Sequence, residues 1–370
     1  MTDDSSQASP LSERIAAEIR AAGGWLPFDR FMALALYAPG LGYYSGPSQK
    51  FGLMPQSGSD FVTAPELSPL FGRALAAQVG QALQACGCDE VWEFGAGTGA
   101  LAEQLLGALG TQIRRYRIVD LSGTLRARQA QRLAAWGDQV EWLDQLPEQL
   151  DGIVVGNEVL DAMPVQLLAF DGQAWAERGV VCTPEGGFAY ADRVQPGLAL
   201  PLSEPPVGAF PPGMVTETHA QAEAFVRTLA QRLRRGAAFL IDYGFPEREY
   251  YHPQRHGGTL MCHHLHRSDP DPLVLVGEKD ITAHINFTGI ALAGQDAGLE
   301  VLGYTSQAHF LWNCGLAALL EGAGVAERSM AHKLVAEHEM GELFKVIGFA
   351  AAGSGFEALG FASGDRSHML

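Results

Sequence analysis

The sequence predicts an α/β protein built on a mainly parallel sheet, with a helical extension before it and antiparallel hairpins inserted into it. Three observations carry this. The first is Val91-Trp92-Glu93-Phe94-Gly95-Ala96-Gly97-Thr98-Gly99-Ala100-Leu101, an apolar run, then three glycines at alternate positions, then a helical pattern. It reads as a strand, a tight turn and a helix N-terminus. The second is the alternation of short apolar runs with helical periodicity as far as residue 164, the pattern of parallel strands joined by right-handed crossovers. The third is a change of texture at Val165, where alternating runs are separated by Asp171-Gly172 and Glu185-Gly186-Gly187. Those are hairpin signals.

Taken in order, the chain opens with acidic and polar residues, Met1-Thr2-Asp3-Asp4-Ser5-Ser6, that carry no structural signal. Helical spacing covers 11–22, with Ser9 or Ser12 as cap, and again 28–36. An aromatic loop, Gly42-Tyr43-Tyr44-Ser45-Gly46, leads into a stretch rich in Gly, Pro and Ser up to Ser59. Ser68 followed by Pro69 marks the start of a helix to about residue 85. Strands are expected at 91–94, 116–120, 140–144 and 152–156, with helices at 100–109 and 124–136 between them. Hairpin strands follow at 165–170, 174–181 and 188–193, then a proline-rich segment to 212. A helix over 220–235, closed by Gly236 and carrying basic residues in its last turn, precedes a fifth core strand at 239–244. Two more strands, 301–304 and 344–349, flank a helical segment. The expected organisation is an extension over 1–59, a core over 60–164, a hairpin subdomain over 165–214, the rest of the core over 215–350, and a tail over 351–370.

The net charge of -17 argues against nucleic acid as a partner, because its phosphates would be repelled. An acidic surface suits a cationic substrate. Five scattered cysteines do not make a disulfide framework, and with no signal peptide or Arg-rich leader the expected compartment is the cytoplasm. No apolar run approaches the length of a membrane span, so no membrane insertion is expected.

The glycine turn is where chemistry enters. Gly95 and Gly97 allow a sharp turn and let a ligand lie against bare main chain. The spacing is G-x-G-x-G, not the G-x-G-x-x-G of a dinucleotide clamp, which favours a nucleoside without phosphates, S-adenosylmethionine above others. Asp120 ends the next strand, about twenty residues past the turn, where a carboxylate can accept from both ribose hydroxyls. At the end of the third strand, Leu143 is placed to pack on an adenine and Asp144 to accept from its amine.

Glu158 and Asp161 follow the fourth strand, beside this presumed cofactor. If the loop turns helically, their carboxylates share a face. Two clustered acids can hold a guanidinium by charge-assisted hydrogen bonds, orient it, and leave one nitrogen better able to attack a methyl group. His252, His256, Cys262, His263, His264 and His266 have no zinc-ligand spacing, so no metal is expected there. Alternating histidines on a strand after Gly257-Gly258 read instead as hydrogen-bonding or pocket-lining groups.

These motifs together resemble the MidA-like S-adenosylmethionine-dependent methyltransferases, whose mitochondrial members are arginine methyltransferases that assist assembly of respiratory complex I. The resemblance is carried by Gly42-Tyr43-Tyr44, by Asp60-Phe61-Val62-Thr63-Ala64-Pro65-Glu66-Leu67-Ser68, and by the glycine turn. It continues in Asn157-Glu158-Val159-Leu160-Asp161-Ala162-Met163-Pro164 and in Asp242-Tyr243-Gly244. It ends in Gly258-Thr259-Leu260 and Asp280-Ile281-Thr282-Ala283-His284-Ile285-Asn286-Phe287. It spans about residue 11 to Ala350. It implies a Rossmann-like class I methyltransferase core, with Thr63, Pro65 and Glu66 closing over a cofactor seated on Glu93, Gly95, Ala96, Gly97, Asp120, Leu121, Leu143, Asp144 and Asn157. Glu158 and Asp161 are then the catalytic candidates, and the substrate is a protein arginine, with a respiratory complex I subunit the first choice. The family's N-E-F-F-D-A-L-P stands here as N-E-V-L-D-A-M-P: both acids are kept and two aromatics are lost, so the acceptor pocket differs. The competing expectations are a cofactor-binding assembly factor without essential transfer, and a small-molecule methyltransferase using the hairpin insertion.

Overall fold

The computed structural model describes residues 9–46, 62–120, 123–265 and 267–370. The polar N-terminus, the Gly/Pro/Ser-rich stretch, Leu121 and His266 lie outside them. The chain divides into two compact units, one comprising Met1–Lys50, Ala162–Gln221 and Arg248–Ala283, the other Phe51–Asp161, Ala222–Glu247 and His284–Leu370.

In the first unit, α1 (Pro10–Ala21) starts at Ser9, whose hydroxyl accepts from the Ser12 N–H at 3.1 Å. Helix α2 (Phe28–Tyr37) follows directly. The expected hairpins form an antiparallel sheet of Gln166–Phe170, Trp175–Cys182, Phe188–Val194 and Val215–Thr218, with Leu26–Pro27 on one edge. Ile15, Ile19, Phe28, Phe31, Leu167 and Val180 form its core. A smaller sheet contains Met261–His264 between Arg267–Asp269 and Asp280–Thr282. Glu217 is fully buried yet satisfied, accepting from the Thr259 N–H at 2.8 Å, the Leu260 N–H at 3.0 Å and the Tyr250 hydroxyl at 2.8 Å. Gly258 lies so close to this carboxylate that a Cβ would strike it, which accounts for the glycine of the Gly258-Thr259-Leu260 motif.

The second unit holds the core sheet. Its main strands are β1 (Glu90–Phe94), β2 (Arg115–Val119), β3 (Val140–Leu143), β4 (Leu150–Asn157), β5 (Leu233–Phe245), β6 (Glu300–Ser306) and β7 (Phe344–Ala350), and the short strand Ile285–Asn286 pairs in parallel with the end of β5. Their order across the sheet is β3-β2-β1-β4-β5-β7-β6. The pairs from β3 to β5 are parallel, and β7 runs antiparallel to both β5 and β6. This is the doubly wound order with one antiparallel strand added. The strand order reverses between β1 and β4, and ligands in such sheets bind outside the carboxyl ends of the strands at that reversal.

Among the helices that accompany the sheet are α3 (Ala64–Leu67), α4 (Pro69–Cys86), α5 (Ala100–Leu109), α6 (Gly123–Arg132) and α7 (Ala220–Arg232). Helix α4 begins as its sequence demands, with Ser68 Oγ accepting from the Leu70 N–H at 3.3 Å and Pro69 in the first turn. Its buried face, including Leu70, Ala74 and Val79, joins Val91, Ile118, Val155 and Phe239 from the strands in one core.

Two elements depart from the sequence expectation. Helix α6 stops at Arg132, and residues 134–139 form a short 3-10 segment broken at Gly137. Helix α7 stops at Arg232, and β5 starts at Leu233 instead of 239. Arg234 and Arg235 are therefore strand residues that pair with Asp151, not the basic last turn of a helix. Gly236 does not close that helix: it stands in β5 opposite Gly152, where a Cβ would run into the Gly152 carbonyl.

Candidate functional site

At the carboxyl end of β1 the backbone takes three left-handed steps, with φ of +64° at Gly95, +53° at Gly97 and +85° at Gly99. The first two glycines serve different ends. A Cβ on Gly95 would lie 2.9 Å from Val159 Cγ2, so this glycine lets the turn close against the loop after β4. A Cβ on Gly97 would meet nothing within 4 Å. There the main chain faces open space, as a backbone cradle for a ligand must.

Acids flank the cradle. Glu93, 2 % exposed, accepts from the Tyr116 hydroxyl at 2.7 Å. Burial pushes its carboxyl up to about 8; the Tyr116 bond opposes this and the Asp120 charge adds to it. Asp120, just past β2, accepts from Gln129 Nε2 at 2.9 Å. The same nitrogen donates to the Gly97 carbonyl at 2.9 Å, and Gln129 Oε1 accepts from Trp142 Nε1 at 2.9 Å. Ala96 is buried, Leu143 is half-buried, and Asp144 is exposed, its carboxylate 2.9 Å from Arg126.

Helix α3 carries Pro65 and Glu66, with Thr63 at its N-cap, and is tied to α5. Gln104 Nε2 donates to the Pro65 carbonyl at 2.7 Å while its oxygen accepts from the Gly72 N–H at 2.9 Å. Glu66 accepts from Arg132 at 2.8 Å and from the Thr98 hydroxyl. The segment that the family resemblance implies over the cofactor is thus fastened to the residue between Gly97 and Gly99.

Beside the turn, β4 delivers the acidic loop. This loop is not helical. Glu158 has φ +54°, a left-handed conformation uncommon outside glycine, and its N–H donates to the Ile241 carbonyl at 2.9 Å. The conformation is over-determined by β5. Asp242, fully buried, takes the Leu160 N–H at 2.9 Å and the Asp161 N–H at 3.2 Å on one oxygen, and the Tyr243 N–H at 2.9 Å on the other. Burial and the charges of Asp161 and Glu158 hold its carboxyl well above the ordinary carboxylate range. Asp161, 5 % exposed, accepts from the Tyr243 hydroxyl. Asn157 Nδ2 donates to Glu158 at 2.9 Å, while its Oδ1 is buried with no hydrogen-bond partner. The Tyr243 ring meets His284 edge-on at 5.0 Å and Phe344 at 5.2 Å. Three carboxyls and an aromatic wall therefore meet at the ends of β4 and β5, an environment for a cation.

The structure brings Glu93, Gly95, Ala96, Gly97 and Asp120 together at the turn, and Asn157, Glu158 and Asp161 beside it. Asp144 is turned toward Arg126, and Leu121 lies outside the described residues. Sequence reasoning missed Gln129, Arg132, Tyr116 and Thr98. Only the period of α6 hinted at the first, since Gln129 falls on its inward face. Of the histidines among the described residues, His264 Nδ1 meets the Glu278 carbonyl at 2.9 Å and His252 Nδ1 accepts from the Gln254 N–H at 3.2 Å. A cavity of about 360 Å³ opens at the opposite, amino edge of the sheet, lined by Arg114, Arg117, Arg234 and Arg235. Its guanidiniums are paired with Asp89, Glu90 and Asp151, and it lies at the wrong end of the strands for the chemistry above.

Comparison with known proteins agrees with this geometry. A Burkholderia thailandensis protein crystallised with S-adenosyl-homocysteine is 52% identical, with a TM-score of 0.90 over 97% of this chain and 96% of that one. A second structure from that organism is 50% identical, with a TM-score of 0.89 over 99% of this chain and 100% of that one. More distant relatives are the mitochondrial protein arginine methyltransferase NDUFAF7 homolog of Drosophila melanogaster and NDUFAF7 of Danio rerio, each 26% identical. They cover 89% and 83% of this chain and 79% and 76% of their own lengths. The family model "Putative S-adenosyl-L-methionine-dependent methyltransferase" matches residues 74–305. With a bare glycine cradle flanked by the buried Glu93 and the half-buried Asp120, and with these likenesses, the chain belongs to that family of S-adenosylmethionine-dependent methyltransferases.

Proposed function

We propose that this methyltransferase transfers its methyl group to an arginine side chain of a protein. The observation that carries the reading is the meeting of Glu158, Asp161 and Asp242 with Tyr243 at the ends of β4 and β5, next to the glycine turn. The names of the NDUFAF7 relatives support it. Glu93, Gly95, Gly97 and Asp120 hold the cofactor, which when bound supplies a methyl group on a positively charged sulfur.

Glu158 and Asp161 accept N–H bonds from the guanidinium and draw its charge toward the nitrogens they hold. The remaining nitrogen becomes the better nucleophile and is aimed at the methyl group. Methylation of a guanidinium releases one proton, and a carboxylate of this pair is the group in reach to take it. The Tyr243 hydroxyl, bonded to Asp161, fixes the orientation of that base. Asp242 acts as the anchor, holding Leu160 and Asp161 by their N–H groups.

The test is transfer from methyl-labelled S-adenosylmethionine to protein fractions, a respiratory complex I subunit first among them, followed by hydrolysis and mass analysis. Methylated arginine in the acceptor supports the reading. Label found only on small molecules, or on other residues, defeats it.

A further inference from the structure

Gln129 is completely buried on the inward face of α6, and both polar atoms of its amide are engaged. It donates from Nε2 to the Gly97 carbonyl and to Asp120 Oδ2, both at 2.9 Å, and accepts from Trp142 Nε1 at 2.9 Å. One side chain thereby ties together the turn after β1, the end of β2 and strand β3. Two donors and one acceptor in this order require an amide. A glutamate could not donate to the carbonyl and the carboxylate, and an asparagine is one methylene shorter. The amide cannot be flipped either, since that would set its oxygen against two acceptors and its nitrogen against the indole N–H.

The consequences are local and specific. Fixing one oxygen of Asp120 fixes the rotation of that carboxylate. Holding the Gly97 carbonyl turns the Thr98 N–H of the same peptide plane away from Gln129, because the two groups of a trans peptide point in opposite directions. We propose that Gln129 is the positioning residue for the cofactor ribose: it aims Asp120 at the hydroxyls and so makes the site select a hydroxylated ribose. This rests on the assignment of Asp120 to those hydroxyls.

Binding of S-adenosylhomocysteine and of its 2′-deoxy analogue, measured by calorimetry, tests it in wild type, Gln129→Met and Asp120→Asn. Methionine keeps the volume and removes all three hydrogen bonds. Wild type is expected to prefer the ribosyl ligand by about tenfold or more. Gln129→Met is expected to lose most of that preference while its affinity for the deoxy analogue changes less than about twofold. Gln129→Glu, which keeps an acceptor for Trp142, is the second variant should methionine fail to fold, and it is expected to lose the preference likewise. Equal weakening of both ligands, or an unchanged preference in a folded variant, overturns the role of Gln129. If Asp120→Asn keeps the preference, the ribose assignment itself fails, and the inference with it. If Asp120→Asn loses the preference and Gln129→Met keeps it, only the inference fails.

Discussion

The two halves of the site are built from opposite materials. On the cofactor side, the chain presents bare backbone at Gly97 and a fully satisfied amide at Gln129, with Glu93 shielded from solvent. On the acceptor side it crowds carboxyls together and bends Glu158 into a left-handed conformation. The first half carries a single buried acid, Glu93, which burial holds above its ordinary range. The second stores repulsion and strain that a cation would relieve, as functional sites tend to do.

The sharpest way to separate the halves is Asp161→Asn. It is expected to lower transfer by about 10³-fold while the affinity for S-adenosylmethionine stays within about threefold. Turnover and calorimetry on the same preparation check it. Equal loss in both would merge the two halves into one.

Next in size is Gly97→Val. The new side chain enters open space, but the residue must hold φ +53° and the cradle is filled. Cofactor binding is expected to fall by about a hundredfold or more, with the fold retained in circular dichroism.

A smaller effect comes from Glu93, whose carboxyl is pushed up to about 8 by burial. A ligand that donates hydrogen bonds binds the ionised form, so affinity falls as pH drops below 8, approaching about tenfold per unit. Calorimetry between pH 6 and 9 reads it, and Glu93→Gln is expected to show the shallower profile.

The smallest is a matter of stability. Replacing Glu158 removes a charge from the acid cluster, so the informative comparison is between Glu158→Gly and Glu158→Ala. Only glycine accepts φ +54° freely, so it is expected to be the more stable by about 1 kcal/mol in thermal denaturation.

The two halves also differed in how far the sequence exposed them. Alternate glycines and an acid at the next strand end are local signals, so Gly95, Gly97 and Asp120 could be placed before any coordinates. The carboxylates at 158 and 161 were legible as a pair, but not the backbone that holds them, because its cause lies in Asp242 and Ile241 on another strand. A helical bend was the natural local guess, and tertiary bonds overrode it. Gln129 was hidden for the same reason: its partners are 32, 9 and 13 residues away in sequence. The end of α7 was misjudged because helix propensity cannot see that Gly236 must pass against Gly152.

The strand order also has a consequence for how the chain is made. β7 lies between β5 and β6, yet it comes from Phe344–Ala350, about 100 residues after β5 has been synthesised. At translation speeds of about 5–20 residues per second, the edge of β5 that β7 will cover waits on the order of 5–20 s for its partner. During that interval the row from Ala237 to Tyr243 is an apolar strand with unpaired backbone groups, the kind of edge that recruits other chains. The nascent protein is thus most vulnerable to aggregation after its cofactor turn has been made and before its sheet can be sealed.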